Sequence, residues 1–503
     1  MQEIRQSLSR RPVSRRPVAA TVLSVVIGAT IGAAAHAQMS VTTYTGIGLT
    51  QTHALLGFNY GPPDTMGAVG NNDFVEFING GYQVFNKSNG TARTALETDT
   101  AFWENAGISA AITNSGLSDT RIIFDKASQR WFASEINTQN TGNSVLVARS
   151  DSADPAGIWK ATSFVSGTQF ADYPTLSLDS IGVYIGANNF TSGGADSGTS
   201  LFSIPKSDLL LSTPTVANRS TFNDDTSYAH GFTLQGVLDT SGGSLGTGAI
   251  LAVSNTSMTL LNKFNVQNPG ATGATLSPVI TLAVQNDNKN PNNFSLQPDG
   301  TAQLDASDNR LSSQVVRSGN YVYLAHSIDV NGRNVIRVTI LNATATAVLA
   351  ESTISGGSTL DYSYPSISAN ANGDLLVGFS RSGSGAGQFI GGYARLGRFN
   401  GTSLTFSDSD ITLAPGQANY HLFNENGERW GDYSATMIDP TDPNTFWTIQ
   451  ESAGTGNNWT TNFSRVSIAT AVPEPSGLLL LGVGAVAGVG AVRRRRSRSL
   501  TGS

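Results

Sequence analysis

Cysteine is absent from the 503 residues, and charged residues make up only 13% of them. Without thiols the chain has no disulfides, no thiolate-bound zinc or iron–sulfur site and no cysteine nucleophile. The charged share is about half of the usual one, which argues against coiled coils, long exposed helices and charge-driven disorder. Glycine is abundant, with 54 residues, beside many Thr, Ser and Asn. This composition is typical of short strands joined by turns, so we predict an all-β protein.

The first 37 residues have the pattern of an export signal. Five arginines precede an apolar run from Val18 to Ala35, and Ala35-His36-Ala37 supplies the small-x-small pattern after which signal peptidase cleaves. An uncleaved membrane anchor is the alternative. The cleavage pattern and the polar sequence behind it favour a signal peptide over residues 1–37, with Gln38 as the first mature residue.

The other end of the chain carries three features in order. Val472-Pro473-Glu474-Pro475 is followed by sixteen uncharged residues from Gly477 to Val492, and then by Arg493–Arg496. Sixteen residues at helical rise span about 24 Å, slightly less than the roughly 30 Å of a bilayer core, which predicts a short transmembrane helix. Arginines at its end would stay on the cytoplasmic side, so the body of the protein would lie outside.

The Pro473-Glu474-Pro475 triplet, the short apolar helix and the arginine cluster resemble the PEP-CTERM sorting signal of Gram-negative bacteria. In that family an exosortase of the inner membrane recognises and removes the tail, and the proteins are associated with the cell surface and the exopolysaccharide or biofilm matrix. The resemblance covers residues 471–503. It implies anchoring in the inner membrane during sorting, then a cell-surface or matrix destination, with signal peptidase and an exosortase-like enzyme as processing partners.

The body between the two signals is acidic. Of the 30 basic and 36 acidic residues, ten basic and two acidic ones lie in residues 1–37 and 472–503, which leaves the body with 20 and 34 and a net charge of −14. A surface with this excess of negative charge repels phosphate backbones and anionic lipids. We therefore exclude nucleic acid as a partner.

Short alternating or apolar stretches recur between turn signals along residues 63–470, such as Asp73–Ile78 and Asp374–Phe379. They belong to a loose unit that occurs about seven times, in which a polar tight segment, a strand, an Asp/Asn/Gly turn and an aromatic-rich strand follow one another. The units start near Pro63, Ser118, Ala171, Ala229, Ser312, Asp361 and Arg429. Successive starts are 49 to 83 residues apart, enough for a propeller blade of about 40–50 residues with long loops.

We therefore predict one β-propeller over residues 63–470, most simply with seven blades, preceded by a linker or closing strand over residues 38–62. Radial closure removes the exposed edges that one large sheet would have. Six or eight blades stay open, since the first and fourth units are the weakest, and two tandem β-sandwiches are the alternative fold. The segments 125–131 and 439–447 resemble sialidase-type propellers, with which they share an Asp turn followed by Trp, although the full Ser-x-Asp-x-Gly-x-Thr-Trp box is absent.

Polar side chains open most units, where the innermost strand of a blade would begin near the propeller axis. The candidate ligand-binding residues are Arg121, Asp172, Tyr173, His230, Arg310, Tyr364, Arg429 and Asp432. Arginine forks bind carboxylates in a bidentate manner, and tyrosine rings can stack on a sugar. Alternatively, these side chains cap the blades, with Asp accepting backbone hydrogen bonds and Tyr packing on the next blade. The sequence leaves both interpretations open.

Catalytic patterns are weak. A sialidase-like hydrolase needs an arginine cluster, a Tyr nucleophile with a Glu partner, and an Asp acid. No pattern singles out one of the glutamates near unit openings or strand ends, which are Glu135, Glu351, Glu425, Glu428 and Glu451. The histidines of the body lack the His-Glu-x-x-His spacing of zinc proteases, and the chain has no P-loop or dinucleotide fingerprint. We predict no catalytic residues.

The Asp/Asn-rich loops 286–293 and 305–309 offer oxygen atoms of the kind that calcium takes as ligands. Asn and Asp are also frequent in surface turns for backbone reasons, and we favour that interpretation. We expect neither a metal nor another cofactor.

Together these patterns predict an exported, envelope-sorted and non-catalytic surface or extracellular-matrix protein. Its expected partner is an extracellular polysaccharide or a surface protein, bound through the axial face of the propeller. One alternative is a secreted glycoside hydrolase or lyase on the same fold. The other is a structural matrix component without a discrete ligand.

Overall fold

Strands dominate the computed structural model, which describes residues 39–468 except 225–227, 286–289, 292–293, 301–303 and 424–426. Helix within this part of the chain is confined to α1 (Leu49–Leu56), α2 (Asp99–Asn105), α3 (Ala110–Thr113) and α4 (Lys206–Leu209). The predicted all-β class is confirmed. The signal peptide and the sorting signal, with its predicted transmembrane helix, lie outside the described residues. Among the residues described, no helix is long and apolar enough to cross a membrane.

The described strands form seven antiparallel groups and one separate antiparallel pair, mostly between chain neighbours. A short parallel pairing of residues 237–239 with 315–317 joins two of these groups into a nine-stranded sheet. The last group along the chain also takes in the first strand, β1 (Met39–Gly48). The other strands, group by group, are β2 (Gly67–Val69), β3 (Asp73–Ile78) and β4 (Gly81–Asn86); β5 (Leu117–Asp125), β6 (Arg130–Asn137), β7 (Ser144–Ser150) and β8 (Trp159–Val165); β9 (Phe170–Asp172), β10 (Ser177–Leu178), β11 (Gly182–Phe190), β12 (Asp196–Pro205) and β13 (Ser220–Asp224); β14 (Phe232–Asp239), β15 (Thr247–Val253), β16 (Leu260–Gln267), β17 (Thr275–Leu276) and β18 (Ile280–Ala283); the separate pair β19 (Phe294–Ser295) and β20 (Leu304–Asp305); β21 (Val315–Ser318), β22 (Tyr321–Val330), β23 (Arg333–Asn342) and β24 (Val348–Ile354); β25 (Leu360–Ala369), β26 (Asp374–Gly383), β27 (Gly391–Phe399), β28 (Leu404–Phe406) and β29 (Ile411–Ala414); and β30 (Ala435–Ile438), β31 (Thr445–Gly454) and β32 (Asn458–Ile468).

The two ends of the body meet in one sheet. β1 pairs antiparallel with β32, from Met39 opposite Ile468 to Thr45 opposite Asn462. This strand lies in the segment for which the sequence predicted a linker or a closing strand. It covers the edge of β32, which would otherwise present unpaired backbone groups to other chains.

The inner strands of the groups, which are β2, β5, β10, β14, β21, β25 and β30, surround a common axis. A cavity of about 290 Å³ between these strands is lined by one or more residues of each, among them Ala68, Ile122, Leu178, Leu238, Val316, Ala369 and Met437. Strands arranged around one axis form a β-propeller, and this predicted fold is confirmed, whereas tandem sandwiches would have two separate cores. Seven blades stay a prediction, which the grouping of the described strands favours.

Most strands are buried on both faces because neighbouring blades pack against each other. All six residues of β3 are buried, including Glu76. Phe74 of this strand stacks on Phe463 of β32 with 4.5 Å between ring centroids. Burial on both faces explains why many strands appear in the sequence as continuous apolar runs rather than as strict alternations.

Candidate ligand site at the propeller axis

A residue with left-handed backbone conformation lies just before or within the first half of several inner strands. The φ angle is 47° at Asp64, 65° at Asp119, 55° at Tyr173, 56° at Thr233 and 51° at Tyr364. In β5, β14 and β25 this residue falls within a shift of the strand register, which is a β-bulge. Bulges re-aim side chains and are frequent beside functional sites. Here they recur at the end of the inner strands where the polar residues collect.

Three carboxyl groups from separate units meet at this end. Asp64, Asp119 and Asp432 each offer an oxygen, and these oxygens lie within 4.8 Å of one another. Asn79 connects two of them, since its Nδ2 donates to Asp64 Oδ2 over 2.8 Å and its Oδ1 accepts from the backbone N–H of Asp119 over 2.8 Å. Asp64 and Asp119 are buried, whereas the Asp432 side chain is 21% exposed. Solvent therefore reaches this carboxylate cluster at Asp432.

Burial raises the pKa values of Asp64 and Asp119, and repulsion from the neighbouring carboxylates adds to the effect. The pKa of Asp64 is raised by burial and then by Asp432 and Asp119, although Arg429 opposes the rise. The pKa of Asp172 is raised to about 8 by burial first and then by Asp119 and Asp432. Each shift favours the protonated carboxyl group. The nearby arginines therefore neutralise the cluster only in part.

Arg121 is buried at the centre of the site and is held by backbone carbonyls. Its Nε donates to the carbonyl of Pro174 over 2.9 Å and its Nη1 donates to that of Ser312 over 3.3 Å. The guanidinium also lies 3.4 Å from the ring centroid of Tyr433. Through these contacts Arg121 connects several separate units. Because the side chain is only 2% exposed, it is not accessible to a ligand.

Arg310 and Arg429 lie nearer the surface and are paired with carboxylates. Arg429 Nη2 lies 3.0 Å from Asp432 Oδ1, and its Nε lies 3.4 Å from Asp305 Oδ2. Arg310 Nη2 donates to Asp308 Oδ2 over 2.7 Å. We call Asp305, Asp308, Arg310, Arg429 and Asp432 the axial rim; their side chains are between 19% and 38% exposed.

Two buried tyrosines, Tyr173 and Tyr364, hydrogen-bond to the backbone of the axial rim. The hydroxyl of Tyr173 donates to the backbone carbonyl of Asp432 over 2.9 Å, and that of Tyr364 donates to the carbonyl of Asp305 over 2.8 Å. Both tyrosines are buried. Their rings are therefore not available to stack on a sugar; they hold the backbone of two rim residues in place, which matches the capping interpretation.

His230 has a different location from the axial rim. Its ring lies 4.6 Å from the ring of Phe264 on β16, edge to face. It also lines a surface cavity with residues of β12 and β17. Although it precedes β14 by only two residues, His230 therefore lies among outer strands.

The glutamates and the Asp/Asn-rich loops considered in the sequence either make structural hydrogen bonds and ion contacts or lie outside the described residues. Glu135 is buried and accepts a hydrogen bond from Trp103 Nε1, and Glu351 accepts one from the backbone of Gln285. Glu428 Oε1 lies 3.6 Å from His421 Nδ1. Glu425 and most of the loop 286–293 lie outside the described residues. In the loop 305–309, Asp305 accepts the backbone N–H of Ser307 as in a turn.

Sequence reasoning missed Asp64 and Asp119 and did not single out Glu451. Glu451 is buried and its Oε2 lies 3.5 Å from the hydroxyl of Thr65, next to Asp64. A signal for the two aspartates is present in the sequence. Each directly follows a predicted unit start, Pro63 or Ser118, as Asp172 follows Ala171. Alignment of the unit starts would have shown the repeated Asp.

Comparison with protein families decides the nature of the tail. Residues 471–496 match the model of the PEP-CTERM protein-sorting motif. The chain carries a PEP-CTERM sorting signal. The PEP-CTERM signal includes Pro473, Glu474 and Pro475, and it implies export, membrane-anchored sorting and processing by an exosortase-like enzyme. The match includes no residue of the propeller.

Comparison with curated proteins finds no significant match. Solved structures similar to this chain include extracellular domains 1–2 of Drosophila Semaphorin 1b, with 8% identity, a TM-score of 0.41, and coverage of 86% of this chain and 88% of that one. An α-L-arabinofuranosidase from Fusarium graminearum has 8% identity, a TM-score of 0.38 and coverage of 71% and 94%. The WD40 domain of SCAP from fission yeast has 7% identity, a TM-score of 0.35 and coverage of 86% and 98%. These are distant likenesses, and no function is transferred from them.

Proposed function

We propose that the exported body is a non-catalytic surface or extracellular-matrix protein that binds a neutral glycan through the axial rim. The observation that carries this proposal is the set of partly exposed, mutually paired Arg and Asp side chains on a buried support. Glycan hydroxyl groups accept hydrogen bonds from guanidinium groups and donate them to carboxylates. A rim whose donors and acceptors are already ordered loses little conformational entropy when it binds.

The charge of the rim argues for a neutral rather than an acidic ligand. Arg310 and Arg429 already have carboxylate partners. The body as a whole has a net charge of −14. An acidic sugar would have to displace these partners and approach an acidic protein, whereas hydroxyl groups can add to the existing pairs.

The geometry of the carboxylates favours binding over hydrolysis. Glycosidases place a sugar between two accessible carboxyl groups, about 5–5.5 Å apart in retaining enzymes and about 6.5–9.5 Å apart in inverting ones. In the carboxylate cluster Asp64 and Asp119 are buried, so a sugar ring has no room between them. The accessible Asp432 is paired with Arg429.

A glycan-array screen of residues 38–470 tests this proposal. We expect a neutral glycan to bind without turnover, and Arg429→Ala to weaken its binding at least about tenfold, since a charge-assisted contact contributes about 1.5–3 kcal/mol. Arg398→Ala is the matched control, because Arg398 is also exposed and paired with an aspartate but lies on β27. Turnover would favour a hydrolase, binding only to protein would favour a surface-protein partner, and no binding at all would favour a structural matrix component.

A further inference from the structure

The carboxylate cluster lacks a full counter-charge among the described residues. Asp64 and Asp119 have no ion-pair partner there, and Arg429 is shared between Asp432 and Asp305. Arg121 is directed at backbone carbonyls and at Tyr433. Carboxylates at this separation repel each other unless a proton or a cation lies between them.

Glu451 adds a second and independent observation. It is a fourth carboxylate, 3% exposed, on β31, and its Oε1 has no hydrogen-bond partner among the described residues. Asp64 Oδ1 also lacks a partner. A Cβ placed on Gly431 would lie 3.6 Å from Glu451 Oε2 and 3.8 Å from Asp64 Oδ1. Both carboxylates therefore face the gap that Gly431 leaves beside Asp432.

The geometry points to a calcium site: we propose that Asp64, Asp119 and Asp432 bind one Ca²⁺ ion beside the gap at Gly431, with Glu451 as a fourth carboxylate facing the same gap. Calcium takes oxygen ligands at about 2.4 Å, so two of its ligands are at most about 4.8 Å apart. The oxygens of the carboxylate cluster meet this limit. Magnesium requires a nearly regular octahedron and usually keeps several of its water ligands, whereas calcium accepts irregular sets of carboxylate oxygens. The partly exposed Asp432 gives the ion access from solvent.

This site differs from the Asp/Asn-rich loops that the sequence offered for calcium. Two of its ligands, Asp64 and Asp432, are more than 300 residues apart in the chain, so only the fold brings them together. The proposal does not depend on the proposed glycan binding, because the ion can bind when the axial rim is free. Failure of one therefore leaves the other standing.

Calorimetric titration of the chelator-treated full chain, purified in mild detergent at pH 7.5, tests the proposal with CaCl₂ and MgCl₂ as probes. We expect one calcium per chain, with a Kd below about 1 mM, the weak end for extracellular calcium modules. Calcium should also raise Tm by at least about 2 °C at saturation, and magnesium should bind at least about tenfold more weakly.

Variants identify the ligands. Asp119→Asn should weaken calcium binding at least about tenfold. Asp196→Asn, which removes one exposed carboxylate on β12, should leave it unchanged. If Asp119→Asn does not fold, Gly431→Ala replaces it, because the added methyl group makes only ordinary contacts while it fills the gap. The proposal is overturned if calcium gives neither heat nor a Tm shift up to about 1 mM, or if Asp119→Asn and Gly431→Ala both bind it as tightly as the parent.

Discussion

Glu76 is a buried acid in the middle of β3 whose protonation affects stability. It accepts a hydrogen bond from the Ile47 backbone over 3.0 Å and one from the hydroxyl of Thr461. Burial raises its pKa from 4.5 to about 8. Between these values the folded protein holds a proton that the unfolded chain has lost. The free energy of unfolding therefore falls as pH rises, by up to about 1.4 kcal/mol per pH unit for this group.

Glu76→Gln keeps the shape of the protonated acid and removes the loss of stability that occurs as the pH rises. We expect the free energy of unfolding of the variant to exceed that of the parent by at least about 1 kcal/mol at pH 8. Near pH 4.5 the two values should agree within about 0.5 kcal/mol. Urea unfolding at both pH values measures the difference. Glu104→Gln, on the exposed face of α2, is the control. Equal pH dependence in Glu76→Gln and the parent would show that Glu76 does not hold a proton in the folded state.

Arg121 is expected to matter for stability, because this buried cation contacts several blades near the axis. Arg121→Met removes two hydrogen bonds to carbonyls and the contact with Tyr433. The loss should lower the free energy of unfolding by at least about 2 kcal/mol. Arg398→Met, at a position whose side chain is 61% exposed, should change it by less than about 0.5 kcal/mol. Similar values for the two variants in urea unfolding would contradict a structural role for Arg121.

At the scale of elements, two glycines in hairpin turns allow the effect of backbone strain to be distinguished from that of steric crowding. Gly373, between β25 and β26, has φ 83°, and an added Cβ would lie 2.1 Å from the carbonyl oxygen of Phe399. Gly456, between β31 and β32, has φ 77° with nothing within 4 Å of an added Cβ.

Gly456→Ala should lower the free energy of unfolding by about 1 kcal/mol, because of the left-handed conformation alone. Gly373→Ala should cost at least about 3 kcal/mol, because the β27 backbone has to move as well. Chemical denaturation of both variants measures the two losses. If they are equal, the turn of β25 and β26 is not packed on β27 as described.

Strand positions were predictable, but strand geometry was not. The predicted strands Asp73–Ile78 and Asp374–Phe379 correspond to β3 and to most of β26, because turn residues and apolar runs mark a strand locally. The approach of Asp64 and Asp119 to Asp432 depends on contacts between blades. The repeated Asp at the unit starts is a local signal for Asp64 and Asp119, as the unit opening is for Asp432. No local pattern encodes that these three carboxyl groups meet.

At the scale of the whole molecule, the contact between β1 and β32 closes the propeller. Thr43 lies opposite Ser464, with 2.8 Å between their hydroxyl oxygens. Since the natural chain has no cysteine, the double variant Thr43→Cys/Ser464→Cys should form one defined disulfide. A loop of this length should raise the free energy of unfolding by about 3–5 kcal/mol in the oxidised form.

Urea unfolding of the oxidised and reduced double variant measures this stabilisation, with Thr43→Cys alone as the control. No gain on oxidation would contradict the expected stabilisation, because a cross-link that fits the native register restricts only the unfolded chain. Failure to form the disulfide would contradict the register of the closing strand.

The route and the fold of this protein were predictable from its sequence, because a sorting signal is a linear pattern and blades repeat along the chain. The ligand site was predictable only as a set of polar residues near an axis. Its division into a buried support, with Arg121 and Tyr173, and an accessible rim, with Arg429 and Asp432, depends on side-chain burial. Burial follows from packing between distant units.

The most direct test of the account is hydrogen exchange of residues 38–470 with and without the glycan that binds most tightly on the array. We predict slower exchange at the starts of the inner strands and in the rim, near Asp119, Asp305 and residues 429–433. The outer strands, such as β8 and β28, should be unchanged. Protection confined to outer strands would show that the ligand binds elsewhere and would contradict the axial rim as the binding site.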